Sequence, residues 1–347
     1  MRKSNPMDEM NTRISERVTV TAAQAHALAV NALLPQGYRP EEAQAVADHV
    51  VDAALCGYEY SGLPKIINLI EHAKLRGLHR PQTTLYETAV SARLDGGNQN
   101  GMLAMHHATE LALAKANAHG FAVIGINNIW MSGRSAFYVE RLAQAGLIGL
   151  HTVASRPQVA PPGAARPALG TNPIAMGFPT EGDPLLIDMG TSALMFTDLM
   201  HRKRMGQPLP EGVAIDAQGK PTTDPASALL GAALPYGGHK GFALALAMAG
   251  LGVAAGSAKD PDQAGYMLMA IRPDLLQPLA QYRRDLSALI ERVRCTPRLP
   301  GVNAIRIPSE RAFAERRHRL QNGLELDRLV VDALMQAAHQ GTHFTLA

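Results

Sequence analysis

The chain has 347 residues, 46% of them hydrophobic and 18% charged, enough to bury a substantial core and better matched to two domains than to one. A formal charge of +3 is too mild for a nucleic-acid footprint, so the basic stretches HRKR (201–204) and ERRHR (315–319) read as solvated faces and no nucleic-acid partner is expected. Only Cys56 and Cys295 are present, which excludes a disulfide scaffold and a cysteine zinc site and points to a reducing compartment, the cytoplasm.

The opening MRKSNPMDEMNTRIS is polar and lacks the apolar run of a secretory signal, so residues 1–18 read as a loose tail. Thr21 begins a capping box, TAAQ, in which its hydroxyl accepts a backbone N–H while Gln24 reaches back, so a helix starts there. Apolar spacing predicts further helices near 40–55, 63–75 and 102–118, the last closed by Gly120, and makes the first third mostly helical. Short Val- and Ile-rich runs follow: FAVIGI (121–126), LIGLHTVA (147–154), PIAMGF (173–178), PLLIDM (184–189) and YMLMAI (266–271). They predict strands of one buried sheet. Between the second and third, SRPQVAPPGAARPALGTNP carries five prolines, which forbid regular structure and predict an extended loop.

FALALAMAGLGVAAG (242–256) is the most apolar stretch; its 15 residues fall short of the roughly 20 needed to cross a bilayer, so it reads as a buried helix and no membrane partner is expected. After Pro308 two more helices are predicted, SERAFAERRHRL with Ser309 as N-cap and LDRLVVDALMQAAH. Their return to the first helices gives a discontinuous helical domain, 19–120 with 298–347, around a sheet domain, 121–297.

No G-x-G-x-x-G fingerprint links a strand to a helix. GGNQNG (96–101) lacks the spacing and is not followed by an evident crossover strand. Walker, H-E-x-x-H and G-x-S-x-G motifs are also absent, which counts against NTPases, zincins and α/β-hydrolases. His106, His107 and Glu110 share a helix in HHATE without a partner cluster, so no metal site is expected. YGGHKGFALAL (236–246) leads two glycines and Lys240 directly into an apolar helix, an arrangement able to hold an anion through backbone N–H groups, helix dipole and ammonium together. A glycine turn with a solvated lysine accounts for the same residues. Asp188 ends the apolar run LLID, where a strand's carboxyl end meets ligands; an N-cap role explains it equally.

LGTNPIAMGFP, IDMGTS, LPEGVAIDAQGKPTTDP and GGHKGFALAL occur in the order and spacing of the malate/L-lactate dehydrogenase family, also called sulfolactate dehydrogenase-like, and the chain resembles that family from about residue 19 to 340. The resemblance implies an α/β fold with a non-Rossmann cofactor domain on a mixed sheet, which explains the missing fingerprint, plus the mainly helical discontinuous domain. It implies an NAD(P)-dependent oxidoreductase, a homodimer with its site near the subunit interface, and cofactor contacts from Ser155, from Asp188, Met189 and Gly190, and from Lys240. Arg156 beside Ser155, or an arginine of HRKR, is suited to a 2′-phosphate, so NADPH is favoured over NADH. Thr171, in the LGTNP segment, joins the substrate-binding set.

In ALCGYEYSGLPK (54–65) the family typically reads G-H-D-S-H-G-x-x-R. Gly57 and Gly62 match, but Ser61 stands at the histidine and Lys65 at the arginine. In NNIWMSG, Met131 occupies a second histidine position, beside Trp130. Oxidation of a 2-hydroxy acid needs a base for the hydroxyl proton, and Ser61 cannot serve unaided; Asp188, Lys65, Tyr58 and Tyr60 remain as titratable groups. A protonated imine accepts hydride with no proton delivered to the reacting carbon, and a nearby carboxylate can stabilise it. The expectation is an NAD(P)H-dependent reductase of a small 2-imino or 2-oxo acid, a cyclic imino acid favoured, with Lys65 or Arg134 holding the substrate carboxylate and Asp188 near the reacting centre. The alternatives are a 2-hydroxy-acid dehydrogenase of malate, lactate or ureidoglycolate type and a catalytically degenerate cofactor-binding member.

Overall fold

A computed structural model describes residues 16–76, 80–257 and 264–340. The strands predicted from apolar runs assemble into one sheet: β4 (Phe121–Trp130), β5 (Ile148–Ala154), β6 (Ile174–Phe178), β7 (Leu185–Met189) and β10 (Gly265–Ile271). Two more strands, β2 (Thr83–Glu87) and β3 (Ser91–Asn100), complete a seven-stranded sheet in the order β2-β3-β4-β10-β5-β6-β7. It is mixed, since β3 runs parallel to β4 whereas the other neighbours are antiparallel.

These strands correct three expectations. The first third is mostly helical as expected, but the sheet recruits residues well ahead of 121; β3 buries only every second side chain over most of its length, a weaker apolar signal than a continuous run. GGNQNG does precede a crossover: β3 leads into α4 (Gly101–His119), and the chain returns as the parallel strand β4. The tail ends sooner than predicted, because Arg17–Val20 form β1, paired with β11 (Leu324–Asp327); the remainder of it, residues 1–15, lies outside the described residues.

Helices α4 and α5 (Ser135–Gln144) pack on the sheet. Helix α4 does so through Met105, Ala108, Ala112 and Ala116, all fully buried, so the small side chains let the helix lie close to Ile124, Ile126 and Leu268. A second core joins α1 (Ala22–Leu33), α2 (Pro40–Leu55), α3 (Pro64–Arg76) and α11 (Arg328–Gln340). The Thr21–Gln24 capping box is formed at α1, and Gly120 ends α4 at φ +84°. Helix α10 (Glu310–Asn322) packs on α2, and α11 packs on α1.

Ser309 occupies the N-cap of α10 but does not cap it with its side chain. Its φ is +68°, and its hydroxyl instead donates to Leu186 O at 3.1 Å. Helices α6 (Phe196–Met205), α7 (Pro225–Leu230), α8 (His239–Ala254) and α9 (Leu279–Arg294) and a two-residue pair, β8 (Ala214–Ile215) with β9 (Ala232–Ala233), complete the described α-helices and strands.

Candidate active site

The corner at 54–65 is built by two helix ends. Helix α2 stops at Leu55, the chain reverses through Gly57 at φ +82° and a single turn over Glu59–Ser61, and α3 starts at Pro64 with Lys65 in its first turn. The ring of Tyr58 lies between two guanidinium groups, Arg134 at 5.1 Å and Arg311 at 5.3 Å from its centroid. Ser61 is half-buried, with its N–H donated to Tyr58 O. The side chain of Tyr60 lies outside the described residues. Burial holds Lys65 below the usual lysine range.

Arg134 belongs to a buried cluster that the sequence did not announce. Its Nη1 donates to Asp52 Oδ2 at 2.7 Å, Arg316 meets Asp52 Oδ1 at 2.8 Å, and Arg316 also forks onto Glu140 at 2.6 and 2.7 Å. Both guanidiniums approach the Sγ of buried Cys56, at 3.6 and 3.3 Å. Two cations thus face two carboxylates, and burial raises Asp52 against the pull of Arg134 and Arg316. Arg134 Nη1 is committed to this cluster. No described residue hydrogen-bonds its Nε or Nη2, in a side chain that is only 6% exposed and lies over the Tyr58 ring.

Asp188 closes the site from the sheet. On the edge strand β7, opposite Ala175, it accepts the backbone N–H of Ala136 in the first turn of α5 at 2.8 Å. It therefore caps a helix, although one from another part of the chain. Asp188 is exposed as a residue, yet the atoms packed around its carboxyl desolvate it enough to raise its pKa, opposed by the Ala136 N–H and the charge of Arg134. Met131, at φ +60°, leans half-buried against the helical core, while Trp130 donates its indole N–H to Asn98 O and stacks on His72.

The expected cofactor residues are drawn together by a knot of backbone contacts. Ser155 N donates to Asn172 Oδ1 at 3.0 Å, and Asn172 Nδ2 to Ala245 O in α8 at 2.9 Å. Thr191 donates both N–H and hydroxyl to Thr171 O at 2.9 Å, and its own carbonyl receives Tyr236 N–H at 3.1 Å. The loop after β5, the Asp188–Met189–Gly190 segment and the start of α8 are thereby tied side by side. Gly237 and Gly238 enter α8 at φ +55° and +62° with open space beside each, and Lys240 is exposed in the first turn. A cavity of about 330 Å³ beside the knot is lined by Arg156, Gln158, Thr171, Leu194, Phe196 and Leu199 among others. Ser155 Oγ is buried without a partner.

The residues that sequence reasoning missed are His49, Asp52, Glu140 and Arg316. His49 and Asp52 share their helix with Glu41, Glu42, Gln44 and Asp48, so their polarity alone does not single them out. HHATE is explained by Arg141, which reaches both His106 and Glu110.

Comparison with known proteins gives the lineage. The malate/L-lactate dehydrogenase family profile matches residues 20–335. L-Sulfolactate dehydrogenase from Methanothermobacter thermautotrophicus is 32% identical over 87% of this chain and 91% of its own. Ureidoglycolate dehydrogenase (NAD(+)) from Escherichia coli O157:H7 is 31% identical over 91% and 96%. Among solved structures, Δ1-piperideine-2-carboxylate reductase from Pseudomonas syringae pv. tomato superposes with a TM-score of 0.81 at 29% identity, covering 92% of this chain and 99% of that one. The fold is that of the sulfolactate and malate dehydrogenase-like structures, and the chain belongs to the malate/L-lactate dehydrogenase family of oxidoreductases.

Proposed function

We propose that the protein reduces small 2-imino or 2-oxo acids with NAD(P)H, a cyclic imino acid being the favoured substrate and NADPH the favoured cofactor, as a cytoplasmic homodimer. The observation that carries this reading is Asp188, a carboxylate pinned by the Ala136 N–H, with a raised pKa and the charge of Arg134 close by. Such a group can stabilise an iminium, or hold a proton for a 2-oxo substrate. The two nearby core histidines are unsuited to acid–base work: His49 and His151 are buried, and desolvation pushes each down to about 3. Ser61 and Met131 stand at the positions of the family's histidines, as the sequence resemblance indicates.

The residues present fit a nicotinamide dinucleotide. The orphaned Ser155 hydroxyl, the open glycines ahead of Lys240 and the cavity beside Arg156 and Thr171 offer a donor, an anion-binding helix start and room for a flat ring. When bound, the cofactor supplies the hydride. In this reading Ser155, Met189, Gly190 and Lys240 hold it, Arg156 receives a 2′-phosphate, and Lys65 and the Nε–Nη2 edge of Arg134 grip the substrate carboxylate.

Steady-state assays test the reading. Reduction of 1-piperideine-2-carboxylate or 1-pyrroline-2-carboxylate should exceed oxidation of lactate, malate or ureidoglycolate by about tenfold or more in kcat/KM. Asp188→Asn should lower kcat on the order of 10²-fold with cofactor affinity little changed. Efficient hydroxy-acid oxidation with no imine reduction overturns it in favour of the dehydrogenase alternative.

A further inference from the structure

We propose that His49 is a positioning residue, an imidazole acceptor on α2 that fixes Arg134 at the substrate end of the site. The inference rests on the reading that Arg134 receives the substrate carboxylate. His49 is 1% exposed, and its ring is packed against Phe137 and Tyr138, with centroids 4.6 and 5.3 Å away. Its Nε2 accepts the backbone N–H of Arg134 at 2.8 Å. The chain passes so close here that a Cβ on Gly133, which has a φ of +75°, would lie 2.1 Å from Nε2. Tyr138 holds the adjoining Ser132 carbonyl through its hydroxyl.

One turn further along α2, Asp52 takes the other end of the same residue, Arg134 Nη1. A single helix therefore grips the arginine at backbone and guanidinium, leaving Nε and Nη2 to be aimed. Binding a carboxylate through that edge depends on orientation as much as on charge, so a backbone shift at Arg134 is felt in substrate affinity.

The grip also dictates a tautomer. Because Nε2 accepts, the ring proton sits on Nδ1, which is buried and unpartnered. Protonating Nε2 would set one N–H against another. Burial, with Arg134, Lys65 and His151 as cationic or ionisable neighbours, holds the ring neutral, and Tyr138 packs on its other side.

Two measurements on the full-length protein decide the matter. The first compares KM for 1-piperideine-2-carboxylate and the dissociation constant for NADPH in wild type, His49→Leu, His49→Gln and Arg134→Gln. His49→Leu keeps bulk but loses the acceptor, and should raise KM about tenfold while cofactor affinity stays within about twofold; His49→Gln, with an amide oxygen to accept, should recover most of the loss. Arg134→Gln with an unchanged KM would remove the reading underneath. Arg134→Gln with a raised KM, alongside folded His49→Leu with none, would overturn the role of His49 alone. The second is a ¹⁵N spectrum of histidine-labelled wild type, which decides the case even if His49→Leu does not fold. His49 should stay in the Nδ1–H form from about pH 5 to about pH 8 and shift when the imino acid is added. An Nε2–H or protonated ring overturns the proposal.

Discussion

At the middle of β5, His151 is fully buried and neither ring nitrogen finds a hydrogen-bond partner. Desolvation brings its pKa down from 6.5 to about 3, and His49 behaves alike. A lowered histidine pKa means that the unfolded chain binds the extra proton first. Stability is thus complete above about pH 6.5 and falls as pH drops toward 3, by about 2 kcal/mol per histidine between about pH 7 and pH 5. His151→Leu should flatten this acid limb by one proton and cost little or nothing at neutral pH, because it removes an unsatisfied polar group from a dry position. Urea midpoints at the two pH values check it; an unchanged slope would mean that His151 is hydrated in the folded state. At this scale the sequence is a partial guide. Asp188 and Lys240 stand out because they end an apolar run and open a glycine-led helix. His49 and Asp52 acquire meaning only from Arg134, some eighty positions away, and no local pattern carries that.

Helix α8 shows the same division among elements. Its apolar run announces burial, yet the buried face consists of Gly241, Ala245, Met248 and Gly252 alone, and this mostly small-residue seam lets it lie against β5 and β10. An added Cβ on Gly252 would fall 2.1 Å from Ala154 Cβ and 3.3 Å from its Cα. Gly252→Ala therefore gains about 1 kcal/mol of helix propensity and loses more, about 1–3 kcal/mol, through overpacking against a backbone that cannot yield. The expected outcome is a lower melting temperature together with weaker cofactor binding, as the helix start bearing Lys240 moves away from Thr191; a raised melting temperature would show that the seam has slack. Strands built from continuous apolar runs were legible at this level. The exposed β2 and the half-buried β3 were not, nor were α5, α6, α7 and α9.

Among the described residues, the surface around α9 exposes several large apolar side chains. Helix α9 has no buried residue, Leu289 and Val293 on it are exposed, and Leu276 and Leu299 flanking it are 93% and 77% exposed. Apolar area of this kind is uncommon on a monomer, which agrees with the homodimer implied by family resemblance. Light scattering at micromolar concentration should report about twice 37.1 kDa; monomer alone would refute it. The whole-chain motif order made the fold legible, and composition placed the chain only among ordinary globular proteins.

The cluster around Arg134 bears on how the protein comes into being. Arg316 reaches Cys56 across 260 positions and Glu140 across 176, and Asn172 reaches Ala245 across 73. Closing loops of that length is entropically slow, and the two contacts of Arg316 cannot exist until a ribosome has released nearly the whole chain. A nascent chain therefore emerges with its sheet strands complete while the guanidinium–carboxylate cluster is still open, so the corner around Arg134 is among the last parts to mature.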